Sequence, residues 1–168
     1  MTNVLNRPRW GRRRWLDDRV ANITRSRTVT APQQAIWDIL ADFGGLCSWM
    51  DSVDHSCVLR AGPDGLPVGT IRRVQMGGNV LVEIITEFEP PTTLAYDIEG
   101  LPTRLGKIAN RWTLQPAGAA TLVTLTSTLK IGNRPPARLA ERVLLRFVAR
   151  QSDALLAGLA HRLETTHV

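Results

Sequence analysis

The sequence predicts an α+β fold in which one curved antiparallel sheet of about seven strands wraps a long C-terminal helix, with two short helices after the first strand. Three observations carry this. From residue 53 to 131 the hydrophobic period is two, broken by turn signals about every ten residues. Residues 136–164 then form an uninterrupted amphipathic pattern of helical period. A first strand and two short apolar segments precede the meander. A single open sheet that twists around a terminal helix buries the apolar faces of both.

The elements follow in order. Residues 20–30 are rich in Thr, Val and Ile and end before Pro32, as a strand does. Pro32 suits a first helical turn, and Ala35, Ile36, Ile39 and Leu40 give residues 32–41 an apolar stripe. Asp42-Phe43-Gly44-Gly45 breaks it, and Leu46–Met50 makes a second short helix carrying Trp49. Strands are expected over residues 53–60, 68–76, 80–89, 93–99, 107–115 and 121–131. They are separated by Gly62-Pro63-Asp64-Gly65, by Gly77-Gly78-Asn79, by Pro90-Pro91 and by a loop containing Gly100, Pro102 and Gly106. In the last helix Leu139, Val143, Phe147, Gln151, Leu155 and Leu159 recur every fourth residue beside Leu144 and Val148. Arg138, Arg142, Arg146 and Arg150 occupy the opposite face and read as a solvated surface.

The 168 residues suit one domain, residues 19–168, and 43% apolar content is that of an ordinary globular chain. No run approaches the roughly eighteen apolar residues of a membrane span. Cys47 and Cys57 are too few for a disulfide framework and read as buried, reduced thiols of a cytoplasmic protein. The net charge of +6 is uneven: six arginines against two aspartates in residues 1–20 leave +4 there and +2 elsewhere. The domain surface is therefore not strongly basic, which argues against nucleic acid as a partner. The arm, residues 1–18, lacks the apolar region of an export signal. It reads as a flexible tail, or as a contact between residues 7–19 and an anionic membrane surface, with Trp10 and Trp15 at the interface.

No phosphate loop, dinucleotide fingerprint or metal-ligand spacing occurs. Asp51, Asp54 and His55 are close in sequence but sit in a short loop, so neither a metal nor a cofactor is expected. Alternation turns Leu94, Tyr96 and Ile98 inward, and likewise Ile108, Asn110, Trp112 and Leu114. With Trp49, Phe147, Gln151 and Leu155 these are the expected walls of a pocket: mostly apolar, with polar Tyr96, Asn110 and Gln151. Arg72 and Glu83 fall on neighbouring hairpin strands. They read as a cross-strand ion pair, or as charged groups facing the pocket, with Arg72, Glu83 and Tyr96 then the candidates for catalysis.

Several stretches resemble the polyketide cyclase/dehydrase family of the START-like (SRPBCC) superfamily. They are Ala31-Pro32-Gln33-Gln34-Ala35-Ile36-Trp37-Asp38-Ile39-Leu40-Ala41-Asp42-Phe43 with Trp49, Val68-Gly69-Thr70-Ile71-Arg72, and Glu83 followed by Phe88-Glu89-Pro90-Pro91 and Leu94-Ala95-Tyr96-Asp97-Ile98. The resemblance covers roughly residues 20–165 and implies a helix-grip fold with a pocket between sheet and long helix. It implies a hydrophobic ligand of lipid, polyketide or isoprenoid type, bound by a carrier or sensor. The alternatives are a polyketide aromatase/cyclase or dehydrase, and a membrane-associated or protein-binding adaptor acting through the basic arm. The membrane reading of the arm predicts salt-sensitive binding to anionic vesicles that deletion of residues 1–18 abolishes in a flotation assay. Equal binding by the truncated chain excludes it.

Overall fold

The structure, a computed structural model, describes residues 19–101, 107–131 and 137–166. The basic arm, residues 1–18, lies outside the described residues. Seven strands form one antiparallel sheet: β1 (Arg19–Val29), β2 (His55–Arg60), β3 (Ile71–Met76), β4 (Asn79–Glu89), β5 (Thr93–Glu99), β6 (Lys107–Ala117) and β7 (Ala120–Ile131). Helix α1 (Gln33–Ala41) and a 3-10 turn (Phe43–Ser48) follow β1, and α2 (Ala137–Thr166) closes the chain. The sheet order is β1-β7-β6-β5-β4-β3-β2. Every neighbour except β1·β7 is consecutive in sequence, so β2 to β7 form a meander and β1 pairs with the last strand.

The elements form where the sequence places them, with shifts of up to three residues at their ends. The first short helix starts after Pro32, whose extended backbone precedes Gln33. The second is the 3-10 turn and lies earlier than the expected 46–50, because Gly44 and Gly45 continue the chain from Asp42 without a break. The β3–β4 hairpin turns at Gly77-Gly78, and Gly77 has φ +57°, a backbone region that side chains disfavour. Asp54 Oδ2 accepts a hydrogen bond from Gly77 N at 2.5 Å, so this carboxylate fastens the hairpin.

Two differences have clear causes. First, the buried stripe of α2 is Leu144, Val148, Ser152, Leu156, Leu159 and Leu163, whereas Val143 and Phe147 are 62% and 55% exposed. A strict four-residue repeat advances 400° per step at 3.6 residues per turn, so it winds off any fixed face. Mixed three- and four-residue steps stay on it. Second, Cys47 is exposed and Cys57 half-buried, and both thiols are free. Cys47 lies on the outer side of the 3-10 turn, where its backbone N–H is taken by Ser56 Oγ at 2.9 Å.

A bulge in β4 sets the shape of the sheet. Ile85 pairs with Tyr96 and Glu87 with Ala95, leaving Thr86 as the extra residue. Strict alternation would turn Glu87 inward with Glu83 and Ile85. The extra residue instead sends Glu87 outward to a two-pronged ion pair with Arg111 and brings Phe88 against Trp37, ring centroids 5.0 Å apart. The core divides in two along α2. Its C-terminal half (Leu156, Leu159, Leu163) packs with α1 and the middle strands, and its N-terminal half (Leu144, Val148) packs with Ile108 and Leu129.

Close approach is specified where α2 crosses the chain at Trp49. A Cβ on Gly158 would lie 2.6 Å from the Trp49 carbonyl oxygen. In an exposed helix Gly158→Ala would add about 1 kcal/mol of stability. Here the clash with fixed backbone outweighs that gain, and urea titration is expected to show a net loss of about 1–3 kcal/mol.

Candidate ligand pocket

The cavity lies where the two halves of the core part, under the middle turns of α2. Its volume is about 110 Å³. The strands contribute Val74, Glu83, Tyr96, Ile98, Asn110 and Ser127 to its wall. Helix α2 contributes Phe147, Val148, Gln151, Ser152 and Leu155, and Phe147 is the exposed residue among them, marking the mouth.

Register explains the polar groups. On the inner face Tyr96 stands directly opposite Asn110, and Asn110 directly opposite Ser127. Apolar rows flank this row on both sides: Leu94–Trp112–Leu125 and Ile98–Ile108–Leu129. The row is hydrogen-bonded across three strands. Asn110 Nδ2 donates to the Tyr96 hydroxyl at 3.2 Å, and Ser127 Oγ donates to Asn110 Oδ1 at 2.7 Å. It reaches α2 at Ser152, whose hydroxyl lies 3.2 Å from Ser127 Oγ and donates to the Val148 carbonyl at 2.9 Å. Buried polar groups need such partners to avoid a cost of about 1–3 kcal/mol each. Ser127 and Ser152 are absent from the sequence prediction. Their signal is a lone small polar residue at an inward position: Ser127 among Val123, Leu125 and Leu129, and Ser152 between Val148 and Leu156.

Arg72 and Glu83 are directly opposite each other on β3 and β4 and form an ion pair, Nε to Oε2 at 2.5 Å, with 4% and 5% exposure. Arg72 also donates to the Phe43 carbonyl at 2.7 Å. Its guanidinium lies 4.0 Å from the Phe43 ring centroid and 5.1 Å from that of Tyr96. Arg72 thus bonds protein partners through Nε and Nη1, and it is not part of the wall of the main cavity. Glu83 and Tyr96 face it. Burial pushes the Tyr96 phenol above its ordinary value, and the negative charge of Glu83 adds to the effect. It remains a neutral hydrogen-bonding group.

The predicted wall residues separate into two groups. Tyr96, Ile98, Asn110, Phe147, Gln151 and Leu155 surround the cavity. Trp49, Leu94 and Trp112 instead border a separate void of about 10 Å³ beside Arg72, and Leu114 is buried core. Trp112 faces inward as its strand parity requires. It lies one row along, where α1 and the 3-10 turn fill the space that α2 leaves open at Asn110. The indole Nε1 of Trp49 is buried without a hydrogen-bond partner among the described residues. Asp51, Asp54 and His55 do not converge, and the described residues contain no group of three acidic, His or Cys side chains suited to a metal. Among the described residues no helix is long and apolar enough to cross a membrane.

Removing one partner of a buried ion pair leaves a charge without compensation, at about 3–5 kcal/mol. Arg72→Met is expected to lower the unfolding free energy by that amount in guanidinium titration. The double replacement Arg72→Met/Glu83→Leu is expected to recover most of it.

Comparison with known proteins agrees with this architecture. Solved structures share the fold at low sequence identity. The Zhui aromatase/cyclase from a Streptomyces species superposes with a TM-score of 0.71 at 18% identity, covering 87% of this chain and 94% of its own. A protein from Thermus thermophilus gives 0.70 at 20%, covering 88% and 100%. A START superfamily protein from Mycobacterium smegmatis gives 0.70 at 17%, covering 86% and 98%. No curated protein matches the chain in sequence. A family model does match, across residues 20–164, and it spans every element from β1 to α2. The chain belongs to the family described as polyketide cyclase/dehydrase and lipid transport.

Proposed function

We propose that this protein binds a hydrophobic small molecule, of lipid, polyketide or isoprenoid type, in the cavity between the sheet and α2. The observation that carries this reading is the gap in the core under α2. It has apolar walls, one hydrogen-bonded polar row and an exposed aromatic residue at its mouth, which is the composition of a small-molecule site. At about 110 Å³ it is smaller than the apolar cavity of about 150 Å³ that takes up benzene in an engineered protein. A longer ligand would seat one ring or chain segment inside and run past Phe147 toward solvent.

A second reading, cyclase or dehydrase chemistry, draws on Glu83 and Tyr96 facing the same cavity. Tyr96 would hold a ligand carbonyl by hydrogen bonding, and Glu83 would move a proton. Arg72 supports this only indirectly, because it does not line the cavity.

Both readings require an occupied cavity. Native mass spectrometry of protein purified from its own cell extract is expected to show a bound hydrophobic species. Val148→Phe, which fills the cavity from α2, is expected to abolish uptake of a hydrophobic fluorescent probe while costing about 1–3 kcal/mol of stability. Undiminished probe binding by this variant would place the ligand elsewhere.

A further inference from the structure

The hydrogen atoms of the buried row point in one direction. Ser127 spends its hydroxyl hydrogen on Asn110 Oδ1, and Asn110 Nδ2 donates onward to Tyr96. The Tyr96 oxygen is therefore an acceptor on the protein side. Its own hydrogen meets no protein acceptor among the described residues, although the side chain is 3% exposed. Glu83 is in the complementary position. One carboxylate oxygen, Oε2, receives Arg72 Nε, and Oε1 receives no hydrogen bond among the described residues. Glu83 and Tyr96 share one guanidinium, which bonds the carboxylate and lies 5.1 Å from the centroid of the phenol ring. Both line the cavity.

Resting on the proposal that this cavity binds a hydrophobic molecule, we infer that it selects a neutral, single-ring-sized ligand, or ligand segment, carrying one hydroxyl group. Tyr96 O–H is the donor to that hydroxyl, and Glu83 Oε1 is its acceptor. A hydroxyl meets both demands with one heavy atom, accepting from Tyr96 and donating to Glu83. A ketone satisfies Tyr96 and leaves Glu83 unpaired. A carboxylate brings a like charge against Glu83, and Arg72, whose charge is already paired with Glu83, does not line the cavity. A purely apolar ring leaves both polar groups unpaired in an enclosed site. Sites built to hydrogen-bond a ligand hydroxyl reject the analogue lacking it far more strongly than a greasy pocket rejects a change of size.

The test is calorimetric titration of the full chain with p-cresol, toluene and 4-methylbenzoate, which differ chiefly in the one group. The expected result is p-cresol binding at least tenfold tighter than toluene, with no measurable binding of 4-methylbenzoate. Tyr96→Phe is expected to remove the advantage of p-cresol while toluene still binds. Toluene binding as well as p-cresol, or 4-methylbenzoate binding best, overturns the hydroxyl inference and leaves the pocket proposal standing. Failure of all three to bind overturns the pocket proposal together with it.

Discussion

The Arg72–Glu83 pair is the interaction on which the rest of the inner face depends. It is buried, so the chain must hold both charges in register, and it does so by placing them directly opposite on adjacent strands. The guanidinium then reaches beyond the pair. It bonds the Phe43 carbonyl in the 3-10 turn and lies over the rings of both Phe43 and Tyr96, which are in edge contact with centroids 5.6 Å apart. One side chain thus fixes β3 to β4, the short-helix layer to the sheet, and the ring of Tyr96 in place. Cation–π contacts of this desolvated kind contribute up to about 2 kcal/mol. The pair is weak evidence for stability in itself, since well-packed apolar residues would serve as well or better. What it provides is position, and the residue it positions is the one whose hydroxyl faces the cavity.

The cavity follows from what α2 lacks. At both ends the helix presents leucines and a valine to the sheet, and the core closes over them. In its middle turns it presents Ser152 and Gln151 opposite a strand row that is itself polar. Small polar side chains on both surfaces cannot fill the distance that Leu and Trp fill elsewhere, so a space remains. The space does not collapse because each surface is held by its own hydrogen bonds. Ser152 is tied back to the helix at Val148, and Asn110 is tied to both strand neighbours. Helix-on-sheet packing then keeps the two surfaces apart from both sides of the gap.

Most of the architecture was legible in the sequence, because strand alternation and helical period are local properties. The alternation of Thr93–Glu99 and Lys107–Ala117 placed Tyr96, Ile98 and Asn110 inward, and all three border the cavity. The same alternation placed Leu94, Trp112 and Leu114 inward, where they are core. Parity assigns a face but not a row along it. Whether a row meets α1 or the open middle of α2 depends on how far each helix extends over the sheet. Ser127 and Ser152 were visible as polar interruptions of apolar series, yet their pairing joins β7 to α2 across 25 residues of sequence.

The sequence by itself determined the order of elements, the turns, the inward faces of the strands and the opposition of Arg72 to Glu83, since hairpin register follows from a short turn. Only the tertiary structure decided three things. The bulge at Thr86 reversed Glu87 from the inner to the outer face, because one extra residue changes parity for everything beyond it. The seating of α2 on the sheet through Leu144, Val148, Ser152, Leu156 and Leu159 left Phe147 half in solvent at the mouth instead of in the core. Finally, the meeting of two polar surfaces, each unremarkable within its own segment, opened the cavity between them. These outcomes depend on contacts between elements distant in the chain, and no local pattern of residue types specifies which distant surface a given row will face.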